Sequence, residues 1–156
     1  MRIPSVTVVQ HVVQCLSAHG MEPALGGSGL LVALGLADTA RDWDLTVDSP
    51  GDVVREALDD GGFSFLDATG GDPVYATHRR YLIDGGDHSV DVLVGFALRT
   101  ADEVVPLPSR FTGSWSGLPL ADPKVWERAY VLLGRHHKAA LLRQWLHEGL
   151  RAGPGN

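Results

Sequence analysis

Two aspartates separated by one residue, Asp42 and Asp44, are the side chains in this sequence best suited to chemistry. They stand within residues 41–48, where polar and apolar residues alternate. This period of two predicts a β-strand that carries both carboxylates on one face. Two neighbouring negative charges repel each other, and a cation held between them removes that repulsion. A third acid, Asp91, lies in another predicted strand and would complete an oxygen-rich site suited to Mg²⁺.

A glycine-rich turn, Gly26-Gly27-Ser28, precedes the two aspartates. Residues 21–25 before the turn are typical of a short strand, and residues 30–36 after it are typical of an apolar helix. Backbone N–H groups at such a turn can bind a phosphate, and the start of the following helix adds favourable electrostatics. The turn is therefore a candidate phosphate site near the candidate metal site.

The elements that must position these residues alternate along the chain. Apolar spacing predicts helices over residues 6–18, 30–36, 51–60, 123–133 and 136–147, and strands over residues 21–25, 41–48, 63–66, 74–83 and 89–94. Ser49 and Pro50 predict the N-cap and first residue of the helix over 51–60, whereas residues 104–120, rich in Pro, Ser and Gly, predict an irregular connection. We expect an α/β (α+β) domain: a short mixed sheet with flanking helices and a small C-terminal helical pair. Residues 1–120 would form the core and residues 121–156 the helical extension.

Composition excludes several classes of protein. A chain of 156 residues, 44% of them apolar, is long enough for one well-packed domain and too hydrophobic for a disordered protein. One cysteine excludes a disulfide scaffold, and no apolar run is long enough to span a bilayer, so we expect a cytoplasmic protein. The net charge of −6 is the sum of −9 in the first 121 residues and +3 in residues 122–156, and the acidic first part argues against non-specific nucleic-acid binding.

Three motifs in this order resemble those of the DNA polymerase β-like nucleotidyltransferase superfamily: Leu25-Gly26-Gly27-Ser28, Arg41-Asp42-Trp43-Asp44-Leu45 and Val90-Asp91-Val92. The likeness covers residues 25–94, and residues 122–146 are more loosely similar to the C-terminal helices of such proteins. It is closest to small bacterial members such as aminoglycoside nucleotidyltransferases and AbiEii-type toxins. The resemblance implies an enzyme that moves a nucleoside monophosphate from an NTP, with ATP expected, to a hydroxyl of a small molecule or a protein.

The resemblance also implies a role for each motif residue. Gly27 and Ser28 would contact the nucleotide phosphates. Asp42 and Asp44 would bridge two Mg²⁺ ions, and Asp91 would bind the ion beside the acceptor oxygen and favour its deprotonation. These three aspartates are the predicted catalytic and metal-binding residues.

One departure from the superfamily concerns the phosphate charge. Many minimal members place Arg-Gly soon after the serine, whereas this chain has Gly29-Leu30-Leu31. Other cations must then meet the phosphates, and the candidates are Arg41, Arg79, Arg80 and Lys124. Because Arg79 and Arg80 are adjacent in a predicted strand, only one of them can face the site.

Two other interpretations stay open. The first is a toxin–antitoxin or defence nucleotidyltransferase that acts on a protein or a tRNA, and the second is a non-catalytic nucleotide-binding domain. A dinucleotide-binding fingerprint is disfavoured because Val32 stands where a third glycine is needed after Gly27 and Gly29. The short C-terminal extension leaves little chain for binding an acceptor, which favours a homodimer that completes the pocket.

Overall fold

A computed structural model describes residues 2–152. Within this range the helices are α1 (Thr7–Ala18), α2 (Gly27–Ala33), α3 (Gly51–Asp60), α4 (Pro123–Leu132) and α5 (His136–Ala152). The strands are β1 (Ala24–Gly26), β2 (Trp43–Val47), β3 (Phe65–Asp67), β4 (Arg79–Asp84), β5 (Ser89–Val94), β6 (Ala97–Arg99), β7 (Val104–Pro106), β8 (Phe111–Trp115) and β9 (Leu118–Ala121). None of the helices in this part of the chain has the length and apolar character needed to cross a membrane.

Seven of these strands form one mixed sheet in the order β3-β4-β5-β2-β1-β9-β8, and β6 pairs with β7 in a small second sheet. β2 runs parallel to β5 and β1 runs parallel to β9, whereas the other neighbours are antiparallel. The central strands β5, β2 and β1 are the most buried. A mixed α/β fold with a C-terminal helical pair is therefore confirmed.

Several predicted helix boundaries agree with the structure, and local chemistry explains them. α1 buries Val9, Val12, Val13 and Leu16 at helical spacing. Gly20, which follows α1, has φ +80, a left-handed conformation that glycine adopts without strain. α4 begins after Asp122, whose carboxylate accepts a hydrogen bond from the backbone N–H of Lys124 at 2.9 Å.

The predicted irregular connection over residues 104–120 is wrong, because it contains β7, β8 and β9. Ser116 with φ 51 and Gly117 with φ 72 join β8 to β9 in a tight hairpin. Leu118 and Leu120 of β9 are buried, and Leu120 lies beside Leu25 of β1 in the parallel pair. The Pro, Ser and Gly content suggests a loop, but burial of this alternating apolar face makes the segment a strand of the main sheet.

Three smaller corrections concern the starts of α3, α2 and β4. Ser49 does not cap α3, since the N-cap is Pro50 and no side chain caps this end. α2 begins at Gly27, within the glycine turn rather than after it. β4 begins at Arg79 rather than at residue 74, and Tyr75 instead forms an isolated bridge with Leu98.

Aromatic residues join the N-terminal segment and α4 to the core of the protein. Buried Trp43 in β2 donates a hydrogen bond through Nε1 to the carbonyl of Ser5 at 3.0 Å. Trp126 in α4 stacks on Phe96, with ring centroids 5.1 Å apart. A β-carbon on Gly26 would lie 2.2 Å from the Trp126 indole, so this glycine lets α4 pack directly against the end of β1.

Candidate active site

Strand register places two of the predicted acids side by side. Asp44 in β2 is the register partner of Asp91 in β5, and these strands are parallel neighbours at the centre of the sheet. Asp42 precedes β2, and its Oδ1 accepts a hydrogen bond from the backbone N–H of Ser89 at 2.8 Å. The structure thus brings Asp42, Asp44 and Asp91 to one cleft.

This cleft has a volume of about 460 Å³. Its walls come from the central strands, the glycine turn, the segment before β4 and the start of α5. The residues lining it are Ser28, Arg41, Asp42, Asp44, Tyr75, Arg80, Leu82, Ser89, Asp91, Arg135 and Lys138.

The glycine turn lies directly against Asp44. Gly27 has φ +59, and a β-carbon built on it would stand 2.1 Å from Oδ2 of Asp44. Only glycine permits both this backbone conformation and this close approach. The Ser28 side chain follows immediately and lines the cleft. The turn and the aspartate strand therefore form one packed unit.

The surroundings of Asp44 disfavour the ionised form of its carboxylate. Burial and the negative charges of Asp91 and Asp42 raise its pKa to about 7. The positive charges of Arg80 and Lys138 act in the opposite direction without cancelling this effect. Among residues 2–149, no side chain or backbone group forms a hydrogen bond or ion pair with this carboxylate. Asp44 is the acid in the cleft that most needs a cation.

Asp91, in contrast, is already paired with Arg80. The Arg80 Nε donates to both carboxylate oxygens at 3.1 Å, and its Nη2 donates to Oδ2 at 2.8 Å. Only 10% of the Asp91 side chain is exposed. Burial raises the pKa of Asp91, and Arg80 acts against this rise. The Arg80 guanidinium also lies over the ring of Tyr75, 4.9 Å from its centroid, so both partners are held in place.

Two cations that the sequence motifs did not indicate enter the cleft: Lys138 of α5 and Arg135, which immediately precedes α5. The Lys138 Nζ donates to Oγ of Ser28 at 3.2 Å and lies 5.6 Å from the centroid of the Tyr130 ring. Arg135, one helical turn earlier, lines the same space. Burial lowers the pKa of Lys138, and the nearby charge of Arg135 adds to this shift. The excess of basic residues after residue 121 was the only sequence signal for this pair.

A second, smaller pocket of about 90 Å³ lies beside the cleft. It shares Ser28, Asp44 and Lys138 with the cleft and adds the aromatic side chains of Trp126 and Tyr130. The polar groups of the glycine turn, β2 and α5 therefore face a space with an aromatic wall.

The cations predicted from sequence are only partly brought together. Arg41 and Arg80 line the cleft, although Arg80 is already paired with Asp91. Arg79 is exposed and packs near Gly51 of α3, because neighbouring residues of a strand face opposite sides. Lys124 lies exposed at the start of α4 and does not line the cleft.

The chemistry of the donors fits one metal ion better than two. Within residues 2–152, no three His, Cys, Asp or Glu side chains are placed to hold a metal ion. Both oxygens of Asp91 already accept hydrogen bonds from Arg80, so a cation bound to Asp91 would lie next to the positive charge of the guanidinium. Asp42 and Asp44 supply the oxygen donors that Mg²⁺ prefers, and the Asp44 carboxylate has no partner within the described side chains. These two residues fit a single divalent ion.

Comparisons with known proteins identify the fold. No family model matches the chain, and no curated protein matches its sequence. A crystal structure of a candidate nucleotidyltransferase from Thermotoga maritima aligns over 92% of each chain, at 20% identity and a TM-score of 0.65. The chain has the nucleotidyltransferase fold.

Two further solved structures have this nucleotidyltransferase fold. The antibiotic-resistance factor ANT(2'')-Ia, in complex with adenylyl-2''-tobramycin, is 14% identical over 94% of this chain and 92% of its own, with a TM-score of 0.61. The alignment with its solution structure covers 90% of this chain and 83% of that one, at 13% identity and a TM-score of 0.61. The nucleotidyltransferase fold that the three sequence motifs imply is therefore confirmed.

Proposed function

We propose that this protein is a Mg²⁺-dependent nucleotidyltransferase that transfers a nucleoside monophosphate from an NTP, with ATP expected, to a hydroxyl acceptor. The observation that carries the proposal is the pairing of Asp44 with Asp91 on adjacent parallel strands, directly against the glycine turn. One structural neighbour with the same fold, ANT(2'')-Ia, was solved in complex with adenylyl-2''-tobramycin, which supports transfer of an adenylyl group as the class of reaction.

Asp42 and Asp44 are the proposed ligands of the metal. Both carry carboxylates into the cleft, and the raised pKa of Asp44 reflects negative charge that a cation would balance. When bound, Mg²⁺ supplies positive charge that stabilises the charge developing on a transferring phosphoryl group. Gly27 supports this arrangement by letting the turn approach Asp44 without a side chain in between.

The turn and α5 would bind the phosphates that leave as pyrophosphate. Ser28 offers a hydroxyl that already lies 3.2 Å from the ammonium of Lys138. Lys138 and Arg135 together bring two positive charges to the cleft. Positive groups fixed before the reaction stabilise negative charge on the leaving group at little reorganisation cost. The chain lacks the Arg-Gly that many superfamily members place after the serine, and we propose that Lys138 and Arg135 bind the phosphates in its place.

Asp91 is the proposed acceptor of the hydroxyl proton. In the transfer, a bond forms between the acceptor oxygen and the α-phosphorus, and the bond to the bridging oxygen of pyrophosphate breaks. The acceptor proton passes to the Asp91 carboxylate, which has to be ionised beforehand. Arg80 favours this ionised form against the opposing effect of burial. The Arg80 contact therefore helps keep Asp91 ionised, which is the form that can accept the proton.

Label transfer tests this proposal. The full chain is incubated with Mg²⁺, each of the four NTPs labelled at the α-phosphate, and a panel of hydroxyl acceptors that includes tobramycin and serine-, threonine- and tyrosine-bearing proteins. We expect label on at least one acceptor, with an equal amount of pyrophosphate, and loss of both in Asp44→Asn. The matched control is Asp59→Asn, which changes an exposed aspartate of α3 outside the cleft. Absence of label and pyrophosphate with every NTP and acceptor would contradict the proposal.

A further inference from the structure

Arg80 holds a fixed positive charge among the acids of the cleft. Its guanidinium forms three hydrogen bonds with Asp91 and lies against the face of Tyr75. Hydrogen bonds between two ionised groups are the strong ones, and this side-on contact engages both carboxylate oxygens. The side chain of Arg80 is only 23% exposed, so water weakens the contact little.

The position of this charge matters for cation binding. Arg80 interacts with Asp44 as well as with Asp91, so its charge is felt by the register pair at the centre of the site. A divalent ion placed beside Asp91 would meet a guanidinium already bound to the oxygens it needs. Like charges at such short range repel strongly in a poorly solvated site.

We propose that the cleft binds one divalent cation, at Asp42 and Asp44, and that the Arg80 guanidinium takes the place of a second one. Arg80 is a positioning residue: it acts through Asp91, whose charge and orientation it fixes. The inference rests on one part of the proposed function, namely that the cleft binds a metal ion. It departs from the arrangement of two ions and three carboxylates that the sequence resemblance implied.

Counting bound Mn²⁺ tests this inference without any turnover. The free-ion signal in electron paramagnetic resonance is followed while Mn²⁺ is titrated into the full chain without nucleotide. We expect one ion per wild-type chain. Replacing the guanidinium with a neutral amide in Arg80→Gln frees Asp91 and raises the count to two. In Arg80→Gln with Asp91→Asn the count returns to one, because the ligand of the added ion is then missing.

Two controls separate charge position from overall charge. Arg79→Gln removes the same charge from the adjacent residue, which is exposed and does not line the cleft, and should leave the count at one. Arg80→Lys keeps a positive charge beside Asp91 and should also leave it at one. Circular dichroism checks that each variant is folded.

Wild-type protein that binds two ions, or none, would overturn the inference even if Arg80→Gln fails to fold. A count of one in folded Arg80→Gln would overturn the claim that Arg80 replaces the second ion. The proposed function is tested separately: it fails if no label is transferred, whatever the number of bound ions. One bound ion without transfer would therefore contradict the function alone, and transfer with two ions would contradict this inference alone.

Discussion

Gly27 and Asp44 touch so closely that a β-carbon at residue 27 would stand 2.1 Å from the Asp44 Oδ2. One residue belongs to the turn that opens α2 and the other to the central strand β2. The contact joins the candidate phosphate site to the candidate metal site. Space at this point is so limited that the smallest possible substitution tests it.

We predict that Gly27→Ala destabilises the fold by roughly 2–4 kcal/mol and prevents nucleotide binding. A left-handed backbone costs a non-glycine residue on the order of 1 kcal/mol, and displacing the Asp44 side chain adds to this. Gly134→Ala is the matched control, because Gly134 also has positive φ, at 73, but a β-carbon there would have nothing within 4 Å. Chemical denaturation measures both free energies of unfolding. Equal losses of stability in the two variants would show that the close contact between residue 27 and Asp44 does not add to the destabilisation.

We predict that Asp44→Asn stabilises the folded protein at pH 7 while it removes metal binding. Burial and two neighbouring acids raise the pKa of Asp44 from 3.8 to about 7, so the folded protein retains a proton that the unfolded chain releases. The contribution of this group to the free energy of unfolding therefore falls as the pH rises from about 4 to 7. Removing the charge should gain about 1–3 kcal/mol at pH 7 and little at pH 4.

Thermal and chemical denaturation across this pH range check the prediction for Asp44. Asp59→Asn, on the exposed face of α3, should leave the stability within about 0.5 kcal/mol of wild type at each pH. If Asp44→Asn is no more stable than wild type at pH 7 in metal-free buffer, the carboxylate is not destabilised by burial and its neighbouring acids.

We predict that Lys138→Ala weakens binding of a non-hydrolysable NTP analogue by about 10- to 100-fold. Hydrogen bonds to charged groups contribute roughly 1.5–3 kcal/mol, and Lys138 lies within hydrogen-bond distance of Ser28 in the cleft. Lys124→Ala removes the same charge from an exposed position outside the cleft and should change the affinity less than twofold. Isothermal titration calorimetry measures both. Comparable weakening in the two variants would mean that only the net charge of the C-terminal helices matters.

The acids of the site were predictable from sequence because local rules determine their placement. Alternation in residues 41–48 is enough to direct Asp42 and Asp44 to the same side, although β2 begins only at Trp43 and Asp42 precedes it, and the same pattern places Asp91 on another strand. Alternation also requires Arg79 and Arg80 to face opposite sides, as they do. The order of the motifs along the chain then indicated the fold.

Lys138 and Arg135, the cations that line the cleft at the start of α5, were not predictable in the same way. Lys138 is 110 residues from Ser28, and their contact depends on how α4 and α5 pack against the sheet. That packing relies on Gly26, whose missing side chain admits Trp126. The hairpin of β8 and β9 was missed for a related reason, since burial of Leu118 and Leu120 outweighs a composition typical of loops. Expectations of a homodimer and of a core over residues 1–120 stay predictions.

The most direct test of the central claim is the Mg²⁺ dependence of nucleotide binding. The wild-type chain is titrated with non-hydrolysable analogues of the four NTPs, with and without Mg²⁺, beside Asp44→Asn and Asp59→Asn. Our account predicts binding of at least one analogue that needs Mg²⁺, survives in Asp59→Asn and is lost in Asp44→Asn. Binding of no analogue, or the same affinity in Asp44→Asn as in wild type, would contradict it.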